Sequence, residues 1–195
     1  MLSYKYRLKP TVKQTAMLED QLEICRYTYN ILLGYCYDER KAGHGTPLDK
    51  IQNLLPIMKQ RNVELRLVHS QVLQNIDIRI KRGFDLYWSL KRSHKKASPP
   101  KFKGKGDYSS ITYPQSGFSF KNNMLKLSKI GNLKIILHRP IEGEIKTLTI
   151  KREPSGKWYV IFACNVEDKP IEGRLPSIGI DFGLDALVAF DDGTK

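Results

Sequence analysis

LSYKYRLKPTVKQ, residues 2–14, is the stretch whose reading decides the fold. Residues 2–8 alternate apolar and polar side chains, as a short strand does. Pro10 and Thr11 break that pattern. Thr11 and Gln14 then stand at capping-box spacing, so a helix should begin directly behind the strand. A single strand cannot bury its apolar face alone. It must pair with strands further along the chain, and whatever lies between is an insertion.

Helical patterns follow. Leu18, Leu22, Cys25, Tyr29, Leu32 and Cys36 step by four and three, one apolar stripe on a long helix that ends before Gly43 and Gly45. A shorter helix is expected in LDKIQNLLPIMKQ (48–60), kinked or split at Pro56. A third is expected from about Glu64 to Arg92, with Leu65, Val68, Val72, Ile76, Ile80, Phe84 and Tyr87 on one face. At Lys91 the texture changes. KRSHKKASPPKFKGKG (91–106) carries Lys91, Arg92, Lys95, Lys96, Lys101, Lys103 and Lys105 without an acid, and Pro99-Pro100 forbids further helix. Beyond this basic connector the period is two. Strands are expected at SITY (110–113), GFSF (117–120), MLKLSK (124–129), NLKIILH (132–138), EIKTLTIK (144–151) and WYVIFACNV (158–166). Lys121-Asn122-Asn123 and Pro154-Ser155-Gly156-Lys157 supply turns. The fold class is α+β, with three helices inserted into a small β-barrel or sheet.

Charge points to the partner. The 195 residues hold 33 Lys and Arg against 20 Asp and Glu, a net +13, which suits a polyanion. The longest apolar runs are strand-length, too short to cross a bilayer, so no membrane partner is expected. MLSYKYRLKP has no apolar leader segment. Cys25, Cys36 and Cys164 are odd in number and lack C-x-x-C spacing, which argues against a disulfide framework and a zinc site and for a reducing cytosol.

Near the end, SIGIDFG (177–183) reads as a buried strand with one carboxylate, Asp181, at its tip. Residues 186–190 read as the returning strand, and Asp191-Asp192-Gly193 as a turn. Metal-dependent phosphoryl-transfer sites begin in this way, with Mg²⁺ held by one or two carboxylates. The plainer reading is a strand that ends in Asp and turns. Actin-like ATPases and sugar kinases also open with an apolar strand, Asp and Gly, but Leu184 follows here where they usually carry Thr or Ser.

Several motifs in order carry a family likeness: YKYRLKPTVKQ (4–14), CRYTYNILL (25–33), VHSQVLQNIDIRIKRGFDLYW (68–88), PPKFKGK (99–105), SITYPQ (110–115), LHRPIEGEIKTLTIKRE (137–153) and IGIDFGLDALVAFDDG (178–193). Together they resemble the TnpB proteins of bacterial insertion sequences, the OrfB-type transposases, relatives of the type V CRISPR effectors. The resemblance implies an RNA-guided DNA endonuclease. It implies a β-barrel-like wedge domain (1–10 and 98–173) interrupted by a helical recognition domain (11–97), with 174–195 as the start of a RuvC nuclease domain of RNase H type. Asp181 then matches the first of three acids that bind Mg²⁺. The other two acids and a zinc ribbon lie further downstream in the family. Asp185, Asp191 and Asp192 belong to the first hairpin and cannot replace them, so this chain is expected not to cut DNA by itself. Asp185 also stands where the family usually has a basic residue.

Recognition is what the resemblance leaves to this chain. Its implied partners are a guide RNA and double-stranded DNA, in a bacterial or archaeal cytoplasm and at the nucleoid. The implied DNA-reading positions are Ser70, Gln71, Gln74, Thr112 and Tyr113. Ser70, Gln71 and Gln74 share one helix face by spacing, and Gln can bond adenine bidentately. Two glutamines alone would read as a solvated polar face. Lys91, Arg92, Lys95, Lys96, Lys101, Lys103, Lys105, Arg139, Lys151 and Arg152 are the expected contacts to nucleic-acid backbone. The alternative function is a stand-alone, nuclease-dead binder or repressor.

Overall fold

The structure is a computed structural model that describes residues 1–166, 179–181 and 189–190. The elements are β1 (Leu2–Lys9), α1 (Val12–Lys41), α2 (Leu54–Arg61), α3 (Ser70–Arg92), β2 (Ser110–Tyr113), β3 (Phe118–Lys121), β4 (Met124–Leu127), β5 (Gly131–Ile136), β6 (Glu144–Arg152), β7 (Trp158–Asn165), β8 (Ile180–Asp181) and β9 (Ala189–Phe190).

β1 finds its partners late in the chain, as its isolation requires. It lies between β7 and β5, antiparallel to both, with Tyr4 opposite Phe162 and Leu8 opposite Ile135. The sheet order is β2-β6-β7-β1-β5-β4-β3. Its two edge strands, β2 and β3, are consecutive in sequence and joined by residues 114–117 alone. Seven flat strands would set their edges about 29 Å apart at the usual strand spacing. Four linking residues reach only about 18 Å between the strand ends. The sheet therefore curls until it nearly closes. Alternate side chains fill its inside: Tyr4, Tyr6 and Leu8 meet Leu125, Leu133, Ile135, Leu148, Ile150, Val160 and Phe162. Asn122 and Asn123, both at positive φ (49° and 60°), make the two-residue turn between β3 and β4.

The capping box is formed. The Thr11 hydroxyl accepts from the Gln14 N–H at 3.3 Å, and the Gln14 side chain accepts from the Thr11 N–H at 3.0 Å. Gln14 also donates to the carbonyl of Asn132, which ties the start of α1 to β5. All six stripe residues of α1 are buried, and α1 packs against α3. The two later helices differ from the expectation at their starts. Residues 51–53 form a 3-10 turn, and Pro56 sits in the first turn of α2, where its missing N–H costs no hydrogen bond. Pro56 thus starts a helix and kinks none. α3 starts at Ser70 and not near Glu64. Residues 63–67 are a 3-10 turn capped by Asn62, and Val68 and His69 are extended. Leu65 and Val68 are buried all the same. Tyr87, at the far end of the expected stripe, is only half-buried.

Strand interiors and helix stripes share one continuous apolar cluster. β8 and β9 form a separate two-stranded ladder, Ile180 opposite Phe190 and Asp181 opposite Ala189. Asp185, Asp191 and Asp192 lie outside the described residues.

Candidate nucleic-acid interface

Two segments separated by forty residues meet at the N-terminus of α3. The Gln71 side-chain oxygen accepts from both the N–H and the hydroxyl of Ser116, each at 2.9 Å. This clamps the loop between β2 and β3 onto the helix. Beneath it, His69 lies 6.0 Å from the Tyr113 ring, and Tyr113 stacks edge-on to Phe118. Gly117 passes so close that a Cβ there would meet the His69 ring at 2.8 Å, and its φ of +88° already demands glycine. Ser70 is exposed and its hydroxyl accepts from Lys59 at 2.8 Å. Gln74, one turn further on, is exposed.

Thr112 and Tyr113 are placed differently from those three. Tyr113 is wholly buried and its hydroxyl has no hydrogen-bond partner. Burial pushes its phenol well above the usual tyrosine range. It offers no surface to a base in this conformation and shapes the loop from below. The Thr112 hydroxyl is engaged inside the protein, by Arg79 at 3.1 Å and Thr149 at 2.9 Å. Arg79 also donates to the carbonyl of Ser110 at 2.8 Å, so it bolts α3 to β2. Burial, then Lys59 and Lys129, hold the His69 imidazole below its ordinary pKa, which keeps it neutral beside the loop.

The basic connector is an ordered strap laid along α1. Asn30 both donates to the Lys103 carbonyl (2.9 Å) and accepts from the Lys103 N–H (2.8 Å). Arg26 adds a bond to the same carbonyl at 2.9 Å, and Tyr37 donates to the carbonyl of Pro100. Pro100 rests on Gly83 of α3, where any Cβ would intrude to 2.9 Å. The backbone is thus held inward, and Lys101 and Lys105 are exposed while Lys103 is half-buried. Lys91 and Arg92 end α3, and with Lys95 and Lys96 they are exposed beyond it. The ten expected backbone contacts do not form one patch. Lys105, Lys151 and Arg152 share a cleft of about 770 Å³, but Glu19, Asp20, Glu23 and Glu153 line it as well. Arg152 is paired there with Glu19 at 3.5 Å. Arg139 lies elsewhere, its guanidinium 4.9 Å from the Tyr4 ring.

Residues 1–45 match the OrfB/IS605-type helix-turn-helix domain family. The chain carries an OrfB-type domain at its N-terminus. Here those residues fold as β1 and α1, one strand and one unbroken helix. Over 99% of its length the chain is 28% identical to a Streptomyces pristinaespiralis protein named "Putative RNA-guided DNA endonuclease". Over 98% it is 25% identical to "Putative RNA-guided DNA endonuclease InsQ" of Escherichia coli K12. The chain spans about half of either relative, 48% in each case. These matches bear out the likeness to the N-terminal part of TnpB proteins.

Asp181 is described only as a residue of β8. Among the described residues no three His, Cys, Asp or Glu side chains are gathered as a metal site needs. Cys25, Cys36 and Cys164 are buried free thiols, and burial raises Cys25 to about 12 and Cys36 to about 11, values of packing residues rather than nucleophiles. No described helix is long and apolar enough to cross a membrane. Sequence reasoning missed Lys59, Arg79 and Ser116. Arg79 flanks the apolar stripe of its helix with a charged head that reaches β2, and Ser116 sits in a loop, so neither carries an apolar periodic signal.

Proposed function

We propose that this chain is the nucleic-acid-recognition part of a transposon-encoded, RNA-guided DNA endonuclease. It holds the scaffold of a guide RNA and reads a short duplex motif beside the target. The observation that carries this reading is the Gln71–Ser116 clamp, which fastens the helix that exposes Ser70 and Gln74 to the loop that directly follows Thr112 and Tyr113. Similarity along nearly the whole chain to two proteins named for RNA-guided DNA cleavage supports it. In this reading Ser70 and Gln74 face base edges, Gln71 holds the loop, and Thr112 and Tyr113 position it. The strap lysines meet phosphates. The division into a wedge (1–10 and 98–173), a helical domain (11–97) and the beginning of a RuvC domain (174–195) belongs to the same proposal, as does Asp181 as a first metal-binding acid.

The test is base reading. A duplex is selected from a randomised pool on the purified chain bound to its RNA. Gln74→Ala should weaken the selected duplex roughly 5- to 150-fold, the range of one lost bidentate base contact, and leave a scrambled duplex nearly unchanged. Equal losses on both duplexes contradict the assignment.

A further inference from the structure

His69 stands where the start of α3, the β2–β3 loop and the turn between β4 and β5 come together. Its carbonyl accepts from the N–H groups of Val72 and Leu73 at 3.0 and 3.3 Å, which begins the helix, while its side chain makes no capping bond. The imidazole is enclosed instead. Gly117 lies so near that a Cβ there would meet three of its ring atoms at 2.8–2.9 Å, and the Tyr113 ring centre is 6.0 Å away. The Gly117 carbonyl accepts from the Ser128 N–H at 2.7 Å, which brings the turn bearing Lys129 alongside. Lys59 of α2 donates to the neighbouring Ser70 hydroxyl at 2.8 Å. Among the described residues the buried Nδ1 of His69 has no hydrogen-bond partner.

A neutral ring fits this enclosure and a charged one does not. Proton uptake makes both ring nitrogens donors. The donor at Nδ1 would be buried without an acceptor, which is costly. The new charge would face Lys59 from α2 and Lys129 from the β4–β5 turn. On β2 the titratable group against the ring is the Tyr113 phenol, and among the described residues no carboxylate acts on it. We propose that His69 is the pin of an acid-released latch: a proton on its ring frees residues 114–117 from α3 and breaks the Gln71–Ser116 bonds. Opening the loop exposes the ring to water, which solvates the charge and screens both lysines. Below the ordinary imidazole value of about 6.5 the open form therefore binds more protons than the closed one, and the closed loop loses stability as pH falls. Tyr113 takes no part in this titration, since burial holds its phenol far above that range. The other histidines lie elsewhere: His44 against Glu39, His94 just beyond α3, and His138 with its ring 5.1 Å from that of Tyr6. The latch belongs to the fold and holds whatever the loop reads.

The experiment follows amide hydrogen exchange of the full chain, without nucleic acid, from about pH 7.5 to about pH 5.5, with rates normalised to those of unstructured peptides. Protection of the Ser116 and Ser128 N–H groups should fall together, by up to about tenfold per pH unit below about 6.5, the limit for uptake of one proton. Amides of the β6–β7 ladder should keep their protection. In His69→Phe, which keeps a flat ring and cannot titrate, the pH dependence at Ser116 and Ser128 should vanish. Proton NMR of the wild-type chain gives a reading that needs no variant: the His69 ring should titrate below its ordinary value. Constant protection at Ser116 and Ser128, a fall that persists in His69→Phe, or a ring that titrates at or above the ordinary value overturns the proposal.

Discussion

Gln71 uses its one side-chain oxygen on two donors of Ser116, which holds the loop to the helix. Gln74, three positions on, keeps its amide exposed. Two glutamines of identical chemistry are thus divided by geometry, which sequence spacing could not do. Tyr113 makes the same point more sharply. Its phenol is buried and unpaired, an arrangement that costs desolvation without return. Tyr113→Phe should therefore leave stability unchanged or raise it by up to about 1 kcal/mol in denaturant unfolding. The same variant should bind the selected duplex as wild type does. A tenfold loss of affinity, equivalent to about 1.4 kcal/mol, would show that the hydroxyl reads DNA after the loop opens.

At the scale of elements, strand positions and the long helices were legible because periodicity reports which face is buried. The starts of α2 and α3 were not. Leu65 and Val68 fit the helical stripe by number, yet the chain reaches their buried positions through a 3-10 turn and an extended link. Burial alone cannot tell those backbones apart. The strap was legible as basic and proline-broken, but its fixed course was not, since its anchors are backbone groups met by Asn30, Arg26 and Tyr37. Asn30→Ala removes both bonds to Lys103 and leaves its N–H without that acceptor. The loss should cost about 1–3 kcal/mol. Cleavage by trypsin after Lys101 and Lys105 should quicken relative to sites in the sheet. Unaltered stability and unaltered cleavage would mean that the strap is held by Pro100 and its neighbours alone.

For the molecule as a whole, the position of β1 sets the architecture: an N-terminal strand at the sheet's centre forces the helices out as an insertion and the later strands into a nearly closed curl. That much followed from one unpaired strand and a change of period. The joining of α3 to the β2–β3 loop did not follow, because it depends on Gln71 and Ser116, 45 residues apart. The net charge of +13 named a polyanion without saying where it sits. The distribution is uneven: Lys105, Lys151 and Arg152 share a cleft with four carboxylates, while Lys91, Arg92, Lys95 and Lys96 belong to none of the described ion pairs. Ultraviolet crosslinking of the full chain to its co-purifying nucleic acid and to the selected duplex, with the modified peptides sequenced, tests the central claim most directly. The account predicts that duplex adducts concentrate at residues 70–74 and 114–117 and RNA adducts along 95–105. Adducts confined to other surfaces, or none with either nucleic acid, would contradict it.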